Sequence, residues 1–395
     1  MYVSLDIGGG YLKYGLGDKI MRMPNCTAVR NKGSSKVLVG DETERIDGNV
    51  RFSDLTYTRP FERGVLVNTD SETEILEHVF KDSLKVNPRA PNIAGIIVTE
   101  PPFTPLESQA HLDEIIFEHF AFKSRSKVTA AESAVYAHAS SASSSTANDY
   151  FTKPFLSVDF GYSSTYVTPI VCGVPIAGGI RRLDIGGKLL TNYLKELVSY
   201  RQFNLLDDTH VMELARRNVC YVSLDFRKDL ERSMGSFKDA ADIRLKYALP
   251  NFHDVLEGYI ISAEDESKDL SNVQLVNFCS ERFVVPELYF HPSDIGLNQA
   301  GISEVVEQSV SACPEEVQHL LRKNIVVSGG NSLTRNLIPR MSQDLGPSCK
   351  VEGVKTKYMR EDDAIVAPLV GMMDRKIENG TLTKKDYDEK GPYHK

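Results

Sequence analysis

Two aspartates, Asp6 and Asp159, each stand where an apolar run of the sequence meets a turn that contains glycine. After Asp6, residues 8–10 are all glycine, and Lys13 lies on the run that follows. A glycine turn presents successive backbone N–H groups to an anion, because no side chain keeps that anion away. The carboxylate can face a hydrated cation beside the anion, and Lys13 can reach a phosphate as a point charge. The pattern indicates phosphate binding, with an ordinary glycine-rich hairpin and an exposed aspartate as the alternative.

Two further glycine elements favour the phosphate site over an ordinary hairpin. Residues 155–169 repeat the plan of an apolar strand, an aspartate, a turn at Gly161 and a returning strand. Two such hairpins far apart in one chain suggest two similar halves that face each other across a cleft. Residues 325–328 form a third apolar strand, and Gly329 and Gly330 follow it before a helix start. A nucleotide base or ribose can lie close to the backbone at such a place.

The elements that must position these turns are predicted from periodicity and capping residues. Residues 1–25 read as the first hairpin and a third strand, and residues 93–99 are typical of a parallel strand covered on both faces. A helix is expected over residues 71–81, with Ser71 as its N-cap. Residues 106–120 show helical spacing.

Three polar stretches are interpreted as surface features. Residues 140–148 are rich in serine and alanine and predict a mobile loop, and the charged run 264–269 predicts a solvated one. Residues 123–127 alternate basic with small side chains. This basic cluster could touch a phosphate backbone, and the alternative is a solvated loop before a strand.

Length and composition bound the class of protein. At 395 residues the chain is too long for one compact core, so two domains are expected. The net charge of −8 argues against a general nucleic-acid binder. The six cysteines are scattered without a CxxC pair, which indicates neither zinc nor a disulfide framework and fits a reducing compartment. We expect neither a membrane-spanning stretch nor a signal peptide, since Asp6 interrupts the first apolar run.

In this order, the three glycine elements resemble those of the actin-fold ATPases, the superfamily that includes actin, sugar kinases and the seventy-kilodalton chaperones. Residues 60–68, 220–226, 281–287 and 301–302 are similar to landmarks of actins and actin-related proteins that the other two groups lack. The resemblance covers almost the whole chain. It implies an α/β, actin-like fold in which two RNase H-like halves face each other across a nucleotide cleft, each with a smaller inserted lobe.

The resemblance also implies where the two halves lie in the sequence. The outer half is expected to comprise residues 1–132 plus 361–395, with a small lobe at about 28–59. The inner half is expected at residues 133–360, with an inserted lobe at about 186–298.

Within the family, three stretches resemble one class of nuclear actin-related proteins: residues 186–202, 290–296 and 383–391. Members of that class are subunits of Swr-type chromatin remodelling complexes, which exchange a nucleosomal histone dimer for the Z-variant dimer. The motor is a different subunit. The resemblance implies a scaffold that docks on an insert of the motor together with a zinc-finger HIT-family subunit, near nucleosomal DNA. It places the chain in the nucleus, with the cytoplasm as a second compartment, and in transcription regulation.

The family's nucleotide contacts carry over to positions of this sequence that match its motifs. The resemblance implies that ATP or ADP with Mg would be contacted by Asp6, Gly8, Gly9, Gly10, Tyr11, Lys13, Asp159, Gly161, Tyr162, Ser163, Arg216, Gly329, Gly330, Asn331 and Leu333. The two aspartates would hold the metal through water molecules.

Several positions that matter for hydrolysis in the family carry other residues in this sequence. Tyr162 replaces a further aspartate of the second turn, and Tyr166 stands where actin has a water-orienting histidine. Tyrosine is no near-neutral base, because its pKa is near 10. The position of actin's water-positioning glutamine falls near Glu132, or at Ala130 with another anchor, and neither supplies an amide. Arg217, in place of a glutamate, would remove an acceptor for ribose or adenine. We expect no catalytic residues, and hydrolysis that is very slow or absent.

Two alternatives from other classes stay open at this point. One is a nucleotide-hydrolysing actin-fold ATPase, and the other is a cytoskeletal actin-like filament protein. Against the filament, residues 28–36 run straight into residues 37–42, so the loop with which actin grips its neighbour is interpreted as deleted.

Overall fold

A computed structural model of the chain describes residues 1–30, 37–43, 55–141, 148–235, 240–250, 258–262, 273–374 and 381–392. The strands within these ranges, in chain order, are β1 (Tyr2–Ile7), β2 (Tyr11–Leu16), β3 (Lys19–Pro24), β4 (Thr27–Arg30), β5 (Val37–Val39), β6 (Leu55–Thr58), β7 (Phe61–Glu62), β8 (Val65–Leu66), β9 (Gly95–Thr99), β10 (Ser124–Val128), β11 (Phe155–Phe160), β12 (Thr165–Val171), β13 (Val174–Pro175), β14 (Arg181–Leu183), β15 (Leu245–Ala248), β16 (Tyr259–Ile260), β17 (Leu275–Phe278), β18 (Ile325–Ser328), β19 (Val351–Gly353) and β20 (Thr381–Thr383).

The helices in the same ranges are α1 (Thr69–His78), α2 (Leu106–Glu114), α3 (Ala130–Ser141), α4 (Asn148–Thr152), α5 (Gly187–Arg201), α6 (Thr209–Val219), α7 (Phe226–Met234), α8 (Glu281–Glu287), α9 (Ile302–Ser311), α10 (Glu315–Lys323), α11 (Leu337–Leu345), α12 (Asp363–Asp374) and α13 (Lys384–Lys390). Helices α1 and α2 each continue into a π-turn, at Val79–Ser83 and Ile115–His119. Short 3₁₀ turns cover Gly40–Thr43, Ala177–Gly179, Pro292–Ile295 and Gly330–Leu333.

The outer half is organised on a sheet with strand order β20-β10-β9-β1-β2-β3. Strands β1, β9 and β10 run parallel, and β1 and β2 form an antiparallel hairpin. Parallel strands in the middle of a sheet are covered on both faces, which explains why residues 93–99 are nearly all apolar. The predicted first hairpin and buried strand are confirmed.

The inner half repeats this plan on a second sheet, with order β13-β12-β11-β18-β19 and β14 paired to β12. Strands β11 and β12 form the second antiparallel hairpin, and β11, β18 and β19 run parallel. Asp159 lies opposite Tyr166 in this hairpin, as Asp6 lies opposite Lys13 in the first. The buried apolar residues of the two sheets form separate clusters, so the predicted division into two similar halves of α/β type is confirmed.

The chain passes twice between the halves, through α3 and through α12. These helices pack so closely that a Cβ on Gly371 would lie 1.8 Å from the carbonyl oxygen of Ser133, so the site admits only glycine. The boundary predicted at residue 132 falls inside α3, and the one at 360 lies just before α12. The exact boundaries stay predictions.

Two sequence-based expectations about local structure were wrong. Helix α1 begins at Thr69, and its N-cap is Asn68, whose side-chain oxygen accepts from the amide of Ser71 at 3.0 Å. Ser71 is therefore a residue of the first turn and not the cap. Residues 124–127 of the basic cluster lie in strand β10 instead of a solvated loop, and Arg125 is buried beside Asp113. The Arg125 guanidinium is thus not available to a phosphate backbone.

Some predicted stretches lie outside the described residues: 31–36 of the shortened lobe, 142–147 of the serine–alanine stretch, and the charged run 264–269. All six cysteines are free thiols. Among the helices that the structure describes, none combines the length and the apolar character needed to cross a bilayer.

Candidate functional site

A cavity of about 560 Å³ lies between the two sheets, at the ends of β1, β11 and β18. All fifteen residues proposed from the sequence as nucleotide contacts line it. The glycine elements, which are more than a hundred residues apart in the chain, therefore converge on one space. A nucleotide contact by any of these residues stays a prediction.

The turn between β1 and β2, residues 8–10, is closed by a hydrogen bond from the amide of Gly8 to the carbonyl oxygen of Tyr11 at 3.2 Å. Its carbonyl groups are held from behind. The side-chain amide of Asn25 donates to the oxygen of Gly8 at 3.0 Å, and the backbone amide of Asn25 donates to that of Gly10 at 2.9 Å. The Arg59 guanidinium donates to the oxygen of Gly10 at 3.0 Å and that of Gly9 at 3.5 Å.

The turn between β11 and β12 has the same closure, from the amide of Gly161 to the oxygen of Ser164 at 3.1 Å. Its carbonyl groups are held mainly by backbone. The amides of Gly187 and Lys188, at the start of α5, donate to the oxygens of Gly161 and Tyr162 at 3.1 and 2.9 Å. The Asn331 side-chain amide adds a bond to the oxygen of Gly161 at 2.7 Å.

These bonds orient the amides of both turns. The N–H of a trans peptide points opposite to its carbonyl, and the chain contains no cis peptide among the described residues. Binding of the carbonyls of Gly8, Gly9, Gly161 and Tyr162 therefore directs the following amides away from the groups that bind them. No acceptor in the described part of the chain takes the amide hydrogens of residues 9, 10, 162 and 163. Each turn thus offers two oriented donors, which is the arrangement that binds anions.

The two turns contact each other directly. A Cβ on Gly10 would lie 2.7 Å from the ring of Tyr162, and one on Gly9 would lie 2.6 Å from the hydroxyl oxygen of Ser163. A side chain at Gly10 would have to displace the Tyr162 ring, and one at Gly9 would require the Ser163 hydroxyl to rotate. The Arg59 guanidinium lies over the Tyr162 ring, 4.8 Å from its centre.

Asp6 and Lys13 form an ion pair at the outer wall, with 2.7 Å between Nζ and Oδ2. Their opposite positions in the β1–β2 hairpin place both side chains on one face of the sheet. Thr99 donates its hydroxyl to Oδ1 of Asp6 at 2.8 Å and accepts from the amide of Ile7 at 3.0 Å. The Asp6 carboxylate is therefore fixed in place without a ligand.

Asp159 has no such partner on the facing strand, because Tyr166 takes the place that Lys13 has in the first hairpin. Burial raises the pKa of Asp159 to about 6; the Lys13 charge opposes that rise and the Asp6 charge adds to it. The Ser328 hydroxyl donates to Asp159 at 3.3 Å. The two carboxylates and their hydroxyls suit a hydrated magnesium ion. Direct ligation is less suitable, since no cluster of three or more His, Cys, Asp or Glu within the described residues could hold a metal.

The third glycine element forms the far wall. Gly329 has a φ of +89°, and a Cβ there would lie 2.4 Å from the carbonyl oxygen of Phe160, so only glycine fits between β11 and β18. Gly330, Asn331 and Leu333 follow on a 3₁₀ turn and line the cavity. Leu333 is half exposed and presents an apolar surface on which a flat ring can lie.

Helix α6 supplies a carboxylate that the sequence analysis missed. Arg217 pairs with Glu213, one turn earlier on α6, at 2.5 Å, and Arg59 approaches the same carboxylate at 3.8 Å. Burial alone would raise the pKa of Glu213, but Arg217 and Arg59 together lower it below its usual value. The acceptor expected to be lost at Arg217 is thus present at Glu213. Arg216, as predicted, lines the cavity and donates to the Thr191 hydroxyl at 3.0 Å.

The positions that bear on hydrolysis are also resolved. The Tyr166 hydroxyl donates to the carbonyl oxygen of Pro102 at 3.4 Å, and Arg182 lies over its ring. Ala130 lines the cavity, whereas Glu132 accepts from the amide and hydroxyl of Thr129 at 2.9 and 2.8 Å as a helix-capping residue. Of the two positions considered, Ala130 is the one that lines the cavity, and the alignment itself stays a prediction.

Four residues of the site had not been identified from the sequence: Asn25, Arg59, Thr99 and Glu213. A signal existed for Glu213, since its spacing of four from Arg217 on a helix predicts an ion pair. The other three act through contacts that join distant parts of the chain, and no local pattern marks them.

Comparison with known proteins gives matches over nearly the whole chain. The family model described as Actin matches residues 2–394. The protein named actin-related protein 6 of Drosophila melanogaster is 35% identical over 402 residues, which cover 98% of this chain and 97% of that protein. The protein of the same name from Oryza sativa is 33% identical over 424 residues, covering 98% and 96%. The one from Neurospora crassa is 35% identical over 389 residues, covering 93% and 86%.

Proposed function

Because the chain belongs to the actin family, we propose that it is a non-catalytic actin-related subunit of a Swr-type chromatin remodelling complex. The observation that carries this proposal is the similarity, over nearly the full length, to proteins named actin-related protein 6. The actin-like fold and the resemblance to that class, both expected from the sequence, are confirmed by the same matches. The histone-exchange role and the partners are proposed on the resemblance.

The proposed partners are an insert of the remodelling motor, a zinc-finger HIT-family subunit and the nucleosome, with contact to nucleosomal DNA. In this role the chain is a nuclear scaffold that neither forms filaments nor binds membranes. Two of the stretches that resemble the class, residues 186–202 and 383–391, contain helices α5 and α13. Helix α5 holds the second turn of the cleft. Helix α13 packs on the outer half, where the Tyr387 ring stacks on Phe117 at 4.8 Å and its hydroxyl donates to Glu118 at 2.7 Å.

Copurification tests the scaffold. The full chain is mixed with the insert segment of a Swr-type motor and the HIT-family subunit, and the mixture is separated by size-exclusion chromatography. We expect one peak that contains all three, and a conventional actin in place of this chain serves as the control. Elution of the chain alone, or equal binding of the conventional actin, would contradict the proposal.

We further propose that the cavity binds ATP or ADP with magnesium as a structural ligand. The support is the set of four oriented amides on two facing turns, next to two carboxylates that suit a hydrated cation. When bound, the metal would neutralise phosphate charge. A ligand that binds only the folded state stabilises it by mass action. Hydrolysis is expected to be very slow or absent, because Ala130 has no polar atom and Tyr166 is no base near neutral pH.

The nucleotide content of the purified chain tests the second part. The protein is denatured and the supernatant is separated by anion exchange. Intact ATP close to one equivalent is the expected result. An empty cleft contradicts nucleotide binding, and ADP that accumulates from added ATP contradicts the absence of hydrolysis.

A further inference from the structure

Arg59 lies between β6 and β7 of the outer half and joins three groups with one guanidinium. It donates to the carbonyl oxygens of Gly10 and Gly9 in the first turn, at 3.0 and 3.5 Å. Its plane covers the Tyr162 ring of the second turn at 4.8 Å. It also approaches the Glu213 carboxylate on α6 at 3.8 Å. The last two groups belong to the inner half, so Arg59 spans the cleft.

Side chains supply most of the donors to the carbonyls of the first turn, whereas backbone amides supply most of those to the second. In the second turn, two amides at the start of α5 bind the carbonyls of Gly161 and Tyr162. The carbonyl of Gly9 has Arg59 as its donor in the described part of the chain. Without Arg59, the carbonyl of Gly9, which shares a peptide group with the amide of Gly10, has no hydrogen-bond donor among the described residues.

The electrostatics of Arg59 favour a fixed position. Glu213 is 4% exposed and carries a charge that Arg217 and Arg59 share. Removal of one of two cations from a buried carboxylate is unfavourable, because its charge is then less compensated. A planar guanidinium can donate to carbonyls and lie on a ring at once, which an ammonium cannot do.

We propose that Arg59 is a positioning residue that pre-forms the first anion-binding turn and links it to the inner half, so that the cleft is closed before a ligand enters. The part of this inference that concerns ligand binding rests on the proposed nucleotide site. The closed state itself depends only on contacts within the chain. A scaffold built this way keeps one shape whether or not nucleotide is present.

The test compares three variants of the full chain without nucleotide. Arg59→Met keeps the length of the side chain and removes the guanidinium, and Arg59→Lys keeps the charge without the planar fork. Glu62→Gln is the matched control: it breaks another ion pair between the halves, to Lys188 at 3.4 Å, whose side chains are exposed and touch neither turn. Hydrogen exchange is followed at Gly8 and Asn25, whose amides donate to Tyr11 and Gly10, and at the buried strand β9.

For Arg59→Met we expect exchange at Gly8 and Asn25 to rise about tenfold or more, with β9 unchanged, and a larger radius of gyration in solution scattering. Arg59→Lys should raise exchange at the same two amides by a smaller factor. This variant tests the proposal if Arg59→Met does not fold. Glu62→Gln should match the wild type. Wild-type exchange at the first turn in both Arg59 variants, or equal acceleration in β9, would overturn the proposal.

Affinity for ADP with magnesium gives an independent measurement. The dissociation constant should rise about tenfold in Arg59→Met and stay unchanged in Glu62→Gln, because only the former loses an oriented amide donor. If the wild type binds no ADP, the proposed nucleotide site fails. Exchange and scattering still decide the role of Arg59 in that case.

Discussion

The two turns that face the cavity have the same closure, 3.2 Å from Gly8 to Tyr11 and 3.1 Å from Gly161 to Ser164, but they are supported in different ways. Backbone amides at the start of α5 support the second turn, and this approach needs glycine at residue 186, where a Cβ would lie 2.5 Å from the carbonyl oxygen of Tyr162. The first turn depends on side-chain donors from Asn25 and Arg59. One fold can therefore keep the geometry of an anion site in both halves while the two halves depend on different kinds of donor.

A second difference lies on the returning strands. Lys13 neutralises Asp6 directly, whereas Tyr166, at the same position of the repeat, leaves Asp159 without a cation on its own hairpin. Burial raises the pKa of Asp159 to about 6, and the Lys13 charge of the other hairpin opposes that rise only in part. The outer half is thus electrostatically complete without a ligand, and the inner half gains more from a bound cation.

Removal of the paired lysine should have the largest effect. Lys13→Met leaves the Asp6 carboxylate, 6% exposed, with Thr99 as its hydrogen-bond donor, and we expect a loss of about 3 kcal/mol in the free energy of unfolding. Tyr166→Phe, the matching change in the other half, should cost less than about 1 kcal/mol, because the hydrogen bonds of the hydroxyl to Pro102 and from Arg182 are both 3.4 Å long. Denaturant unfolding measures both. Equal losses would contradict the asymmetry.

Glu72, a buried acid beside Asn25 in the outer half, should make the stability of the protein depend on pH. Burial raises the pKa of Glu72 to about 8, against a smaller opposing effect of the Asn25 amide. The folded state therefore holds a proton that the unfolded state releases above about pH 4.5, and stability falls as pH rises from there to about 8. Glu72→Gln should stabilise by about 3 kcal/mol at pH 7 and by less than about 1 kcal/mol near pH 5.

Thermal or denaturant unfolding at pH 5, 7 and 8 measures this effect. Glu74→Gln, an exposed neighbour on α1, is the control and should change little at any of the three values. A gain from Glu72→Gln that does not grow with pH would mean that Glu72 is ionised in the folded protein.

The two asparagines test the support of the turns directly. Asn25 donates its side-chain amide to the carbonyl of Gly8 in the first turn at 3.0 Å. Asn331 donates its side-chain amide to the carbonyl of Gly161 in the second turn at 2.7 Å. Asn25→Ala should cost about 2 kcal/mol and Asn331→Ala about 1 kcal/mol, because two backbone amides of α5 remain in the second turn. Denaturant unfolding gives the ranking. A larger cost for Asn331→Ala would reverse the comparison.

The smallest effect is expected for a change aimed at hydrolysis. Tyr166→His returns an imidazole to the inner hairpin, yet ATP turnover should stay at the wild-type level, since Ala130 still offers no polar atom. The double variant Tyr166→His with Ala130→Gln should exceed either single variant in phosphate release. A large gain from Tyr166→His alone would show that Tyr166 is the sole block.

Local patterns predicted the parts of the site that are local. Strand, aspartate and glycine follow one another in sequence, so the two hairpins and the third element could be predicted to meet at one cleft. The fifteen candidate residues were carried over from the resemblance to the family, and all of them line the cavity. Contacts between distant segments could not be predicted in this way. The basic cluster was misinterpreted because Arg125 is buried in the sheet beside Asp113 of α2, and the exposed Lys123 donates hydrogen bonds to the carbonyls of Ala90, Pro91 and Ile93. The α1 cap was misplaced by one turn because Asn68 and Ser71 are both good capping residues.

Strand β20 has a consequence for biosynthesis. It completes the edge of the outer sheet beside β10, and Ser126 and Thr381, whose hydroxyls lie 2.7 Å apart, are separated by 255 residues of sequence. During translation, β10 emerges from the ribosome long before β20 and has an unpaired edge throughout that interval, which invites pairing with other chains. Expression of this protein should therefore benefit from chaperones that hold nascent β-strands until residues 381–383 have been made.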